Sequence, residues 1–176
     1  MWRVILLAGG HGLGWVLLYA GYVKVRLPWI SFAATIEAYK LLPPDTVIFV
    51  ARTLPWFEIV LGALLVLTSI AAGGSYCYSY FQRSVMAASA ANGNMITLAA
   101  VSTLASALLL TFFAVLARSY ALGMDIDCGC FGPGEKLSLR TLVRDGLLAG
   151  VSLAVTIGAF QMSRRHSVES PIASHN

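Results

Sequence analysis

The chain has 176 residues, 58% of them hydrophobic and 11% charged, with a formal net charge of +4. A soluble domain of this size carries about a quarter of its residues as charges. The composition therefore excludes a water-facing shell around an ordinary core and belongs to an integral membrane protein. The lipid bilayer is its first partner, and no nucleic-acid partner is expected.

Runs of about 20 apolar residues are long enough to span a bilayer, and four stand out in chain order: 4–23, 54–72, 95–117 and 142–162. The first reads as a span rather than a secretory signal, because no small-residue cleavage site and polar mature region follow it. It carries His11 between Gly10 and Gly14, a spacing that favours close helix packing. His11 is read as a packing histidine, with a quinone or proton-relay role as the sharper alternative. Backbone in lipid must satisfy its own hydrogen bonds, so all four runs should be helices. The expected fold is an all-α, integral membrane four-helix bundle occupying residues 1–162, with a polar, mobile tail at 163–176 and both termini on one side.

Between the first two spans, "PWISFAATIEAYKLLPP" sets Trp29, Phe32, Ala33, Ile36, Tyr39 and Lys40 at roughly helical spacing. A short amphipathic helix on the membrane surface, stopped by Pro43 and Pro44, is expected there. Pro55 then suits the start of the second span, placing Glu58 in its first turn, where the helix dipole favours an anion. Lys24 leaves the first span on the same side, so a Lys24–Glu58 pair at the boundary is expected. An ionisable group this near the hydrocarbon is also a candidate for function. Residues 73–94 read as a loop with a lone Cys77, ending in "ANGN", with Asn94 placed to cap the third helix.

The loop before the fourth span holds "DIDCGCFGPGE". Its glycines and Pro133 suit an exposed tight turn, with Gly129 supplying backbone freedom between Cys128 and Cys130. The nearby Asp125 and Asp127 would raise a thiol's pKa, with Lys136 and Arg140 as offsets. Residue chemistry alone leaves three readings open: a reversible redox pair, a structural disulfide, or a soft-metal site. A full zinc site needs about four ligands and no further Cys or His lies nearby in sequence, so no metal is expected. Arg144 and Asp145, early in the fourth span, should pair locally or anchor at the interface.

Three stretches give the chain a family resemblance. "YAGYVKVRLPWISFAATIEAYKLLP", "LPWFEIVLGALLVLT" and "ALGMDIDCGCFG" followed by "RTLVRDGLLA" resemble the first-helix exit, second helix, cysteine loop and fourth helix of the MauE family, within the DoxX-like group. The loop at 73–94 is longer than the family pattern. The resemblance implies a thiol–disulfide redox or maturation factor of the inner membrane, working beside a thioredoxin-like periplasmic protein. Its client would be the disulfide-rich small subunit of methylamine dehydrogenase. It implies Cys128 and Cys130 as the reacting pair; the residue readings above add Gly129, Lys24, Glu58 and Arg144 as supporting residues. A quinone is the one cofactor kept open. The alternative is a non-catalytic accessory subunit of a larger membrane complex, with the two cysteines bonded only for structure.

Orientation divides two arguments. The side with the thiol loop carries eight Lys and Arg (Lys24, Arg26, Lys40, Arg52, Arg118, Lys136, Arg140, Arg144). The side with the termini carries four (Arg3, Arg83, Arg164, Arg165). The positive-inside rule then favours the thiol loop in the cytoplasm. Disulfide chemistry favours the non-cytoplasmic face, which is the expectation adopted.

Overall fold

A computed structural model describes residues 2–81, 85–132 and 134–169, with side chains described over 4–74, at 94, and over 96–132 and 134–164. Five helices follow in order: α1 (Trp2–Arg26), α2 (Trp29–Ala38), α3 (Pro44–Phe81), α4 (Val85–Ala121) and α5 (Leu139–Glu169). Among the described residues the only extended pairing is one antiparallel bridge, Asp127 with Lys136. Four helices, α1, α3, α4 and α5, are long and apolar enough to cross a membrane. α1 packs on α3, α4 on α5, α3 beside α4 and α1 beside α5, which closes a four-helix bundle. Leu13, Leu61, Leu65, Leu98, Ala105 and Val155 fill its centre.

The α1–α3 contact is close because glycine lines it. A Cβ on Gly14 would lie 2.8 Å from the Gly62 carbonyl, and one on Gly21 would lie 2.7 Å from the Pro55 carbonyl. Small residues let two backbones approach in this way. Gly21 and Lys24 are three apart on α1, and Glu58 and Gly62 four apart on α3, so each charge continues its helix's glycine face. The glycine seam thus delivers Lys24 to Glu58.

Several helix ends differ from the sequence expectation. α3 opens at Pro44, ten residues before the expected span, so Pro55 lies inside the helix. Pro44 already has the position that proline favours, the first helical residue. An interior proline is tolerated in a membrane helix, where neighbouring groups can re-satisfy the carbonyl it strands. Glu58 is therefore well inside α3, far from the terminal dipole, which fades within about one turn. α2 ends at Ala38, before the prolines; Lys40 takes a left-handed conformation (φ 52) just beyond it.

The expected loop at 73–94 is largely helix: α3 runs to Phe81 and α4 begins at Val85. Asn94 is thus no cap. "VMAASAA" is a good helix former, and one interior glycine costs only about 1 kcal/mol. The Asn94 side chain instead donates to the Ala71 carbonyl of α3 at 3.4 Å. The side chain of Cys77 lies outside the described residues, as does Pro133. α5 likewise continues to Glu169, into the expected tail; residues 170–176 are outside the description.

Candidate functional site

The segment between α4 and α5 folds back over the end of the bundle. Cys128 N–H donates to the Glu135 carbonyl at 2.7 Å and Leu137 N–H to the Ile126 carbonyl at 2.9 Å, closing a hairpin-like loop. Asp127 accepts from the Gly134 amide at 3.1 Å, and Asp125 pairs with Lys136 at 3.0 Å at the exposed rim. The acids expected to burden the thiols are thus engaged elsewhere.

Cys128 and Cys130 are free thiols in a turn pressed inward. Gly129 between them has φ +70, and a Cβ there would stand 2.7 Å from Thr35 Cγ2 of α2. Only glycine fits both the backbone angle and the space. The expected exposure is absent: Cys128 is 4% exposed and Cys130 is partly buried. From α2's C-terminal cap, the Tyr39 hydroxyl donates to the Cys128 carbonyl at 2.8 Å and lies 3.2 Å from the Asp127 carbonyl. Burial holds the Tyr39 phenol above its usual range, so it stays a donor.

The groups that touch the sulfurs come from α5. Asp145 Oδ2 lies 3.4 Å from Cys130 Sγ and 3.7 Å from Cys128 Sγ. Arg144 donates to Asp145 Oδ1 at 3.0 Å, pairs with Glu135, stacks on Phe131 at 4.4 Å, and places a guanidinium nitrogen 3.9 Å from Cys128 Sγ. Beneath them the Lys24 ammonium holds both Glu58 oxygens, at 2.7 and 2.8 Å, with both side chains almost wholly buried. Lys24, Glu58, Cys130 and Asp145 line one small cavity.

The two thiols are unequal. A hydrogen bond from Cys130 pulls the Cys128 thiol below the ordinary thiol value, with Arg144 assisting and burial and Asp145 opposing. The same bond, with burial and the charges of Cys128 and Asp145, pushes Cys130 well above it. Cys128 therefore ionises first, and Cys130 serves as its donor. In exchange chemistry the more acidic sulfur is the better leaving group.

Sulfurs and Asp145 oxygen lie within 4.8 Å of one another. Two thiolates and a carboxylate make three ligands for a soft cation, but Arg144 already engages Asp145 and approaches Cys128. Among the described residues no fourth ligand joins them, so the set suits a thiol pair better than a closed metal site. His11 is apart from this group; it accepts a hydrogen bond from Trp15 Nε1, four residues along α1, at 3.0 Å.

Sequence reasoning reached Cys128, Cys130, Gly129, Lys24, Glu58 and Arg144, and the fold gathers all six at one end. It missed Asp145 as the sulfurs' neighbour, Tyr39 as the clamp on the turn and Glu135 as a partner of Arg144. The usable signal was Asp145 itself, an acid inside an apolar run, which lipid tolerates only when it faces the bundle interior.

Fold and site together define a multi-pass membrane protein, a four-helix bundle with a Cys-Gly-Cys turn folded onto one end. The family model described as methylamine utilisation protein MauE matches residues 3–158, and the chain belongs to the MauE family. Neither the curated proteins nor the solved structures contain a match to it.

Proposed function

We propose that this MauE-family protein is a membrane thiol–disulfide factor acting with a thioredoxin-like partner, in maturation of a disulfide-rich client such as the methylamine dehydrogenase small subunit. The observation that carries the reading is the geometry of the thiol pair: two sulfurs within 4.8 Å of each other, in a turn clamped by Tyr39 and set against Asp145 and Arg144. In the oxidising direction a partner thiolate attacks Cys130 of the Cys128–Cys130 disulfide and Cys128 departs as thiolate. A second partner thiolate then displaces Cys130. The partner leaves oxidised and the pair carries its two electrons. Because Cys130 is only partly exposed, the partner reaches it by lifting the loop held by Tyr39 and Arg144.

We place the turn on the non-cytoplasmic face of the inner membrane, where the reducing glutathione pool does not act on a disulfide. The count of Lys and Arg, eight on this side against four on the other, argues for the opposite placement, and thiol accessibility in intact cells decides between the two.

The test is a Cys128→Ser/Cys130→Ser variant in intact cells, followed by trapping of the client's thiols. The variant inserts normally, since no span is altered, and leaves client thiols unpaired. Full client maturation would overturn the reading in favour of an accessory subunit with a structural cysteine pair.

A further inference from the structure

Cys128 is buried and Cys130 partly buried, and the turn that carries them walls an apolar cavity. About 350 Å³ of space lies between α2, α3, α4 and the Cys-Gly-Cys turn, with Cys128, Gly129 and Cys130 as one wall. The rest of the lining is almost entirely apolar, apart from the Lys24 ammonium and the hydroxyls of Thr35, Thr111 and Tyr39. Leu41 and Leu42, each about two-fifths exposed, also line it, just before the start of the apolar α3 span. A redox pair set against such a cavity calls for an electron partner that travels in the membrane rather than in water.

We propose that this cavity binds the head group of a lipid quinone, which reoxidises the Cys128/Cys130 dithiol. The inference rests on the thiol–disulfide reading above and names its electron acceptor. Ligand pockets run from about 300 Å³ upward, so the space admits one substituted ring and leaves an isoprenoid tail to exit past Leu42 into the bilayer. Phe32 and Phe112 both line the cavity and flank Lys24, their ring centroids 5.6 and 6.0 Å from its Nζ. They provide faces for an aromatic head group to pack on. An ammonium has three donors. Two of those on Lys24 go to Glu58, and the proposal assigns the third to a quinone carbonyl. The step balances: two S–H bonds break, one S–S bond forms, and two electrons and two protons pass to the quinone oxygens to give the hydroquinone.

The full chain, purified into quinone-free nanodiscs and reduced, is mixed anaerobically with decylubiquinone. Quinol formed and thiols lost are both counted. One quinol per two thiols lost is expected. Val50→Trp fills the cavity from α3, and Leu42→Trp narrows it from an exposed position where folding is not at stake. Each should slow quinol formation at least tenfold while diamide still oxidises the pair at the wild-type rate. Oxidation by diamide but not by quinone overturns the proposal and leaves the exchange reading standing, with a lipid acyl chain as the occupant. Quinone reduction at an unchanged rate in both Trp variants also overturns it, by placing the quinone elsewhere. A pair that no oxidant closes removes the exchange reading, and this proposal with it.

Discussion

In the middle of the bundle, Ser106 of α4 shares its hydroxyl with Ser152 at 2.6 Å and Thr156 at 2.9 Å of α5. Under the Cys-Gly-Cys turn the buried polar groups include charges: Lys24, Glu58, Asp145 and the partly covered Arg144. Neutral hydroxyls lose little on leaving water and satisfy one another, so they act as glue between helices. A full charge costs several kcal/mol to bury, even when paired. Helix packing alone needs only the first kind. The concentration of the second kind at the thiols is what marks that end as the candidate site.

Removing one partner of the buried pair should have the largest effect. Lys24→Met leaves Glu58 charged and unpaired, and Glu58→Gln does the converse; each should lose about 3–5 kcal/mol. Lys24→Met/Glu58→Leu should recover most of it, because an apolar pair carries no desolvation cost. Thermal denaturation in detergent reads both. A single variant as stable as wild type would erase the contrast drawn above.

Next is the turn. Gly129→Ala puts a side chain where φ is +70 and Thr35 Cγ2 is 2.7 Å away, at a cost of about 1–3 kcal/mol. The loop should loosen, and both thiols should react faster with N-ethylmaleimide. Adding Thr35→Ser removes the clashing methyl but not the backbone strain, so it should restore only part of the protection.

The third prediction concerns pH. The Cys128 thiol sits below the ordinary value, so the alkylation rate should rise and level off at lower pH than for a free thiol. Asp145 raises it and Arg144 lowers it. Asp145→Asn should therefore shift the profile to lower pH, and Arg144→Gln should shift it to higher pH. Shifts in the same direction would break the assignment.

The smallest effect belongs to the hydroxyls. Ser106→Ala should cost about 0.6 kcal/mol, the usual scale for such bonds between membrane helices. A loss as large as that of Lys24→Met would mean that the two kinds of polar burial do not differ.

Much of this was legible along the chain. Apolar length gave the four spans, since lipid permits little besides helix there. The glycine spacing around His11 pointed to close packing, and Gly14 does meet α3. Helix ends were less legible. Pro55 and "ANGN" look like boundaries locally, yet the bundle carries both inside helices. The sulfurs' neighbours were hidden for a different reason. Asp125 and Asp127 lie closest in sequence, but the hairpin turns them to Lys136 and Gly134. Asp145, 15 residues beyond Cys130, is brought back by α5. Only tertiary folding decides which carboxylate meets a thiol.

The most direct test of the central claim is a redox titration of the cysteine pair in the purified, full-length protein. Samples are equilibrated in thiol buffers of graded potential, trapped with a maleimide, and their free thiols counted by mass. The account predicts that Cys128 and Cys130 disappear together as one two-electron couple, with a tenfold change in the ratio for each step of about 30 mV. Two thiols that stay free in the most oxidising buffer, or a bridge that dithiothreitol cannot open, would contradict it.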